Sequence, residues 1–213
     1  MLSEPRLREL LKPFRPGLSS AEASQVRLYL ELLLRWNQKI NLTAIHDPET
    51  CVTRHFGESL FLATQADLRG NLLDIGSGAG FPGLALRIAF PDLAVTLLEP
   101  VAKKRAFLKE AARVCEFSNI AVRPDRLEEF APTAPNIFDT ATSRAVGKLD
   151  RLVPLAGRCL RPSGHLFLWL TLAQAASLQS LRCILRWHAP LPIPRSASGV
   201  ILPGDREEAR PQQ

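Results

Sequence analysis

The stretch Asn71-Leu72-Leu73-Asp74-Ile75-Gly76-Ser77-Gly78-Ala79-Gly80-Phe81-Pro82-Gly83 decides the fold. Its first five residues read as a short, largely apolar strand, which runs into three alternate glycines and then a helix start. Glycine at such a turn accepts positive φ and lets a ligand press against main-chain amides, while the helix N-terminus adds donors and partial positive charge. A strand, a glycine turn and a helix in that order predict a nucleotide-like cofactor at the carboxyl edge of a sheet.

Outward from this point the chain alternates. Helices are predicted over Pro82 to Phe90, Val101 to Cys115 and Lys148 to Cys159, and strands over Ala94 to Leu98, Ile120 to Val122, Phe138 to Thr142 and His165 to Leu170. That alternation is the pattern of an α/β, doubly wound and mostly parallel sheet with helices on both faces. Upstream, residues 1–67 read as a helical N-terminal cap. A short helix is expected at about residues 3–12. A longer one is expected from Ser20, as N-cap, to about Lys39, with Val26, Leu30, Leu33, Leu34 and Asn37 on one face, and Asp47-Pro48 opens a third. Residues 68–205 form the sheet domain in this reading. After Leu181 the signal weakens because Pro190, Pro192 and Pro194 interrupt any strand; Asp205 to Gln213 reads as a polar, frayed end, with 206–213 a disordered tail.

Two chemistries compete for the glycine turn, since Gly78-Ala79-Gly80-Phe81-Pro82-Gly83 also satisfies the dinucleotide pattern GxGxxG. Asp74 favours the other one. A carboxylate at that strand end suits the ammonium group of S-adenosylmethionine and repels a pyrophosphate. Glu99, at the end of the second strand, can accept both hydroxyls of a ribose, which either cofactor carries.

A chain of 213 residues with 46% hydrophobic and 23% charged residues is an ordinary globular composition, which excludes wholesale disorder and a collagen-like chain. The net charge of +6 permits a polyanionic partner without demanding one. Cys51, Cys115, Cys159 and Cys183 are too widely spaced for a metal knuckle or a disulfide framework and read as buried free thiols. His46, His55, His165 and His188 form no zinc-binding pair, so no metal site is expected. No apolar run has the length of a signal peptide or a membrane span, which places the protein in the cytoplasm away from membranes.

Five segments carry a more specific resemblance: Trp36-Asn37-Gln38-Lys39-Ile40-Asn41-Leu42-Thr43, Arg54-His55-Phe56-Gly57-Glu58-Ser59-Leu60, the glycine turn, Arg126-Leu127-Glu128-Glu129-Phe130 and Ser143-Arg144-Ala145. Together, over about residues 20–165, they resemble the bacterial small-subunit ribosomal RNA guanine-N7 methyltransferases, formerly called glucose-inhibited division protein B. The resemblance implies a class I S-adenosylmethionine-dependent methyltransferase acting on small-subunit ribosomal RNA or the ribosomal subunit, with no DNA partner. It implies cofactor contacts at Gly76 and Phe81 around the methionine part, Glu99 on the ribose, Leu127 and Glu128 near the adenine, and at Arg144. With Asp74, Gly78 and Gly80 these make up the expected cofactor site. No catalytic residue is expected, because guanine N7 carries a lone pair and no proton, so transfer needs alignment rather than a base.

Alternatives stay open at this point: a nicotinamide-dependent oxidoreductase using Gly78, Gly80 and Gly83, or a ribosomal RNA-binding protein with little or no methyl transfer. Asn37, Asn41 and Thr43 can close a helix as readily as touch RNA, and His55 can pack or face substrate. Lys103, Lys104, Arg105, Lys109 and Arg113 read either as a solvated helix face or as a phosphate-binding one. The sequence also departs from the family after the fifth strand. Leu168-Trp169-Leu170-Thr171-Leu172-Ala173-Gln174 lacks the usual Lys-Gly pair, and Ser198 to Gly204 replaces a basic, β-branched final strand.

Overall fold

The computed structural model describes residues 2–144, 147–180 and 184–207. Helix α1 (Glu4–Leu11) is capped by Ser3, and α2 (Ser20–Asn37) by Ser19, whose hydroxyl and the Glu22 carboxylate bond each other's backbone amides in a capping box. The cap is thus one residue earlier than the Ser20 expected from sequence, because only Ser19 is followed three places on by a glutamate. Asp47 caps α3 (Pro48–Cys51), which continues through a π-helical turn (Val52–Gly57) into α4 (Glu58–Leu60) and a 3₁₀ turn.

Then come β1 (Asn71–Ile75), α5 (Gly83–Ala89), β2 (Ala94–Leu98), α6 (Ala102–Val114), β3 (Ile120–Arg123), α7 (Leu127–Phe130), β4 (Phe138–Arg144), α8 (Leu149–Cys159) and β5 (Leu160–Thr171). The chain closes with α9 (Leu172–Gln179), β6 (Leu185–Trp187), β7 (Leu191–Pro192) and β8 (Gly199–Arg206). The sheet order is β3-β2-β1-β4-β5-β8-β6, with β7 also on β8. β1 to β5 run parallel, and β8 returns antiparallel to β5.

Side-chain alternation along the strands divides the interior into two cores. Leu72, Val95, Leu97, Phe167, Trp169 and Ile201 face α1, α2, α5 and α6, so the N-terminal helices share one continuous core with this sheet face. Leu73, Ile75, Leu98, Leu166, Leu168 and Leu202 face α7, α8 and α9. Cys51, Cys115 and Cys159 are buried free thiols, pushed up to about 11, 12 and 11 by burial; Cys183 lies outside the described residues.

The carboxyl-terminal reading needs correction. Asp205 and Arg206 do not fray: they finish β8, where the Asp205 carboxylate meets His165 at 2.8 Å and His188 at 2.6 Å across the neighbouring strands. Residues 208–213 lie outside the described residues. Pro203 sits inside β8 without breaking it. Its carbonyl accepts from the His188 amide, so its nitrogen faces the same side, in the gap between the short β6 and β7, and the ladder to β5 loses nothing.

Candidate functional site

At the end of β1 the chain turns through Gly76, Gly78 and Gly80 at φ of 72°, 57° and 85°, a region that costs other residues strain. The amides of Gly76 and Ser77 both donate to the Leu98 carbonyl at 3.0 Å, those of Gly80 and Phe81 to the Ser77 carbonyl, and that of Gly78 to Glu99 Oε2 at 2.9 Å. This inventory weighs against a dinucleotide. A pyrophosphate needs free amides at such a turn, and these five are already spent on the protein itself.

The glycines differ in purpose. A side chain on Gly78 would meet only the Gly76 carbonyl, at 3.9 Å, so its Cα borders open space where a ligand can approach. One on Gly80 would strike Tyr29 and Leu84, and one on Gly83 would lie 2.7 Å from Leu97 and 2.8 Å from the Asp74 carboxylate. Those two glycines serve packing.

Glu99, nearly buried, accepts from the Gly78 amide through Oε2 and from the Val101 amide, at 2.8 Å, through Oε1. A carboxylate has about four acceptor sites, so two remain for the vicinal hydroxyls of a ribose. Beside it Ile75, Gly76, Leu98, Pro100, Leu127 and Glu128 wall a cleft of about 260 Å³ with a largely apolar lining, which suits a purine ring. Leu127 buries its side chain in the second core, leaving its backbone to the cleft, while Glu128 is exposed. Geometry and donor set fit S-adenosylmethionine.

Asp74 is placed otherwise than the sequence suggested. Its carboxylate is fully buried beneath the turn, accepting from Thr142 Oγ1 at 2.9 Å and from the Gly83 amide at 3.2 Å. Desolvation pushes it up to about 6, against hydrogen bonds from Ser77, Thr142 and Gly83 that pull it down. In this position it braces the turn to α5 and β4 instead of lying open to an ammonium group. Phe81 is also core: its ring stacks between Tyr29, at 5.3 Å and 5°, and His55, at 4.9 Å and 19°.

Around that stack Asn37 and Thr43 bond the loop after α2 and the His55 ring instead of the loose backbone groups of the helix end, and Asn41 is exposed. Asn37 Oδ1 accepts from the Leu42 and Thr43 amides, and Thr43 Oγ1 lies 2.8 Å from His55 Nε2. Burial, then Arg144 and Arg54, push His55 down to about 4, so it is neutral at physiological pH. Arg144, at the end of β4, is not a surface ion pair. Its Nη2 lies 3.0 Å from Glu58 Oε2, inside the junction between the cap and the sheet, and Arg54 Nε meets Glu58 Oε1 at 2.9 Å. Glu58 is the residue the sequence reading passed over; the signal available was one carboxylate between Phe56, Gly57, Ser59 and Leu60, all buried.

A family model, rRNA small subunit methyltransferase G (GidB), matches residues 22–182. The chain belongs to the rRNA small subunit methyltransferase G family. It is 42% identical to the Ribosomal RNA small subunit methyltransferase G of Methylobacillus flagellatus over 144 residues, 68% of this chain and 67% of that one. It is 44% identical to that of Stenotrophomonas maltophilia over 151 residues, 70% and 69% of the two chains. Among solved structures, a ribosomal protein L11 methylase from Lactobacillus delbrueckii subsp. bulgaricus superposes with a TM-score of 0.62 at 14% identity, over 78% of this chain and 81% of that one. TYW2 of M. jannaschii in complex with AdoMet does so at 0.60 and 13%, over 71% and 75%. These two share the fold. Membership in the methyltransferase G family removes the oxidoreductase alternative, in line with the spent amides of the glycine turn. The family match ends at residue 182, so β6, β7 and β8 lie beyond it. Among the described residues no helix is long and apolar enough to cross a membrane.

Proposed function

We infer that this protein transfers the methyl group of S-adenosylmethionine to N7 of a guanine in small-subunit ribosomal RNA, in the cytoplasm where small subunits are made. When bound, the sulfonium supplies an electrophilic methyl: the N7 lone pair forms the new N–C bond as the C–S bond breaks and its electron pair stays on sulfur. The chain's own part is placement. Gly76 and Gly78 leave room for the cofactor, Glu99 orients the ribose, and the Leu98–Leu127 cleft receives the adenine. Arg144 stands at the adjoining strand end. Holding donor and acceptor in line converts an encounter into a unimolecular step, and no base is called for because N7 loses no proton.

The observation that carries this reading is the glycine turn, five of whose amides are spent within the protein, next to a carboxylate with acceptor sites left over, in a chain of this family. The test is to incubate the protein with labelled S-adenosylmethionine and small subunits from cells lacking the modification, then map the labelled nucleotide. Label on a guanine that becomes alkali-labile, as N7-methylguanine does, is expected. Label elsewhere, or none, overturns it.

A further inference from the structure

A second cleft, of about 430 Å³, opens at the carboxyl ends of β4 and β5; Arg54, Glu58, Arg144, Trp169, Thr171 and Ser198 are among its walls. The purine cleft shares none of these residues. Two charges at its base are largely withdrawn from water, with side-chain exposures of 9% for Glu58 and 15% for Arg144. A buried ion pair is an inefficient way to hold a cap to a sheet, since apolar residues of similar volume do so without the desolvation cost. The pair is also incomplete. Among the described residues Arg144 Nη1 is buried without an acceptor, and each Glu58 oxygen, having one arginine partner there, keeps a free lone pair. The Trp169 indole donates to the Glu58 carbonyl at 2.9 Å and so fixes the backbone that carries the carboxylate.

Resting on the guanine-N7 reading above, we propose that this cleft takes the extruded target guanine, Arg144, which the resemblance put on the cofactor but which lines this cleft and not the purine cleft, donating to its O6 and Glu58 accepting from its N1–H and N2 amino group. Strand register supplies the order. Ile75 pairs with Ser143, so Gly76 and Arg144 follow on adjacent strands at the same level, and Arg144 itself pairs with Trp169, whose indole holds Glu58. From the cofactor turn Gly76 thus adjoins Arg144, and Arg144 in turn reaches Glu58 of α4, which lies against the sheet at Trp169. Around guanine the order is N7, O6, N1, N2, so the two series coincide when N7 faces the turn. Enzymes that act on an extruded base read its Watson–Crick edge in this manner. Adenine reverses both contacts: its N6 amino donor would face the guanidinium, and its bare N1 acceptor would face the carboxylate. A site built to bond particular groups rejects an analogue lacking them far better than an apolar pocket does.

The proposal is tested on the full chain saturated with S-adenosylhomocysteine, titrated with GMP, IMP and AMP and followed by NMR. GMP should bind at least about tenfold more tightly than AMP, with IMP, which lacks only the N2 amine, in between. Glu58→Gln places an amide where a carboxylate accepted, and should bring GMP to the level of AMP while S-adenosylhomocysteine affinity stays near wild type; it leaves Arg144 without its buried counter-charge, so its unfolding temperature should fall and the comparison is made on protein shown to be folded. Arg144→Lys keeps the charge but loses the planar fork; it should lower the preference by the same readout and decides the matter if Glu58→Gln does not fold. Absence of a GMP preference in the wild type, through equal binding or none, overturns the proposal, as does a folded Glu58→Gln that keeps it. Methyl transfer to undermethylated small subunits is measured alongside. Its absence sinks the guanine-N7 reading even where the GMP preference stands, and its presence without that preference sinks the cleft alone.

Discussion

Glu99 holds the glycine turn and, in the proposed reading, the ribose as well. Because the Gly78 and Val101 amides both donate to it, Glu99→Ala would strip two partly buried donors as well as the ribose contact, and its effect could not be assigned. Glu99→Gln keeps one acceptor oxygen and so disturbs one of these amides instead of both. It should weaken S-adenosylmethionine by about 1–3 kcal/mol, the usual range for a hydrogen bond to a charged group, and weaken methionine, which has no ribose, much less. Equal calorimetric losses for the two ligands would take Glu99 off the ribose. Asp74 was readable as a carboxylate at the right strand end, but not as a buried one, because the hydroxyl that holds it, Thr142, is 68 residues away. Its displacement up to about 6 sets a pH dependence. Folding favours the protonated acid, so this contribution is complete below the unfolded value near 3.8 and is lost as pH rises through about 6. Above that it leaves the folded state worse off by about 2–3 kcal/mol. Asp74→Asn, whose amide can donate to Thr142 and accept from Gly83, should therefore be more stable than wild type at pH 7, with the gap closing towards pH 4. A gap independent of pH in urea titrations would refute the assignment.

Among the elements, β1 and β2 were legible because each is short, apolar and bounded by Gly, Pro or Asn, the helices after them because their apolar residues recur at helical spacing, and the parallel order follows from the alternation. The cap's hold on the glycine turn was not. It depends on Tyr29 of α2 donating to the Ala79 carbonyl, and on the Tyr29, Phe81 and His55 rings stacking in series. Helical periodicity marks which residues of α2 are inside but not which loop they meet. The π-helical turn that carries His55 had no sequence signal either, since a π turn differs from an α turn only in backbone registration. Two substitutions test the link. Tyr29→Phe leaves a buried carbonyl without its donor and should cost about 1–3 kcal/mol; Phe81→Ala empties the middle of the stack and should cost about 3–5 kcal/mol. Both should also weaken S-adenosylmethionine, through the turn. A Tyr29→Phe variant with wild-type stability and affinity would mean that α2 does not hold the loop. β8 was missed for an equally physical reason: its proline is tolerated only because two short strands leave a gap beside it, and gap and strand belong to the tertiary fold.

At the scale of the molecule, the question is how charge divides between alignment and attraction. The sequence grouped five basic residues of α6 as one possible phosphate face, and the structure separates them. Arg105 turns back to donate to the Glu99 and Pro100 carbonyls, and Arg113 pairs with Glu110 at 2.8 Å. Lys103, Lys104 and Lys109 have no ion pair among the described residues, so they are the ones left to meet phosphate. Arg144 belongs to another category. Removing it as Arg144→Ala would strand Glu58 in the cap–sheet junction with one exposed arginine, and breaking a buried pair in that way costs about 3–5 kcal/mol, so loss of transfer would be mixed with loss of fold. Arg144→Lys is the cleaner variant: if the guanidinium stands where donor and base meet, as proposed, it should lower the single-turnover rate at saturating RNA, because small misplacements there are expensive in rate. Lys103→Ala combined with Lys104→Ala should leave that rate near wild type and act on binding instead. Every phosphate charge that goes unneutralised in the variant should flatten the dependence of log affinity on log salt by roughly 0.7–0.9. Binding to small subunits at several salt concentrations, beside single-turnover rates at saturation, separates the effects. If the lysine pair abolishes turnover at saturating RNA, or leaves the salt slope unchanged, α6 is a solvated helix face or part of the alignment machinery, and the RNA must track a different surface.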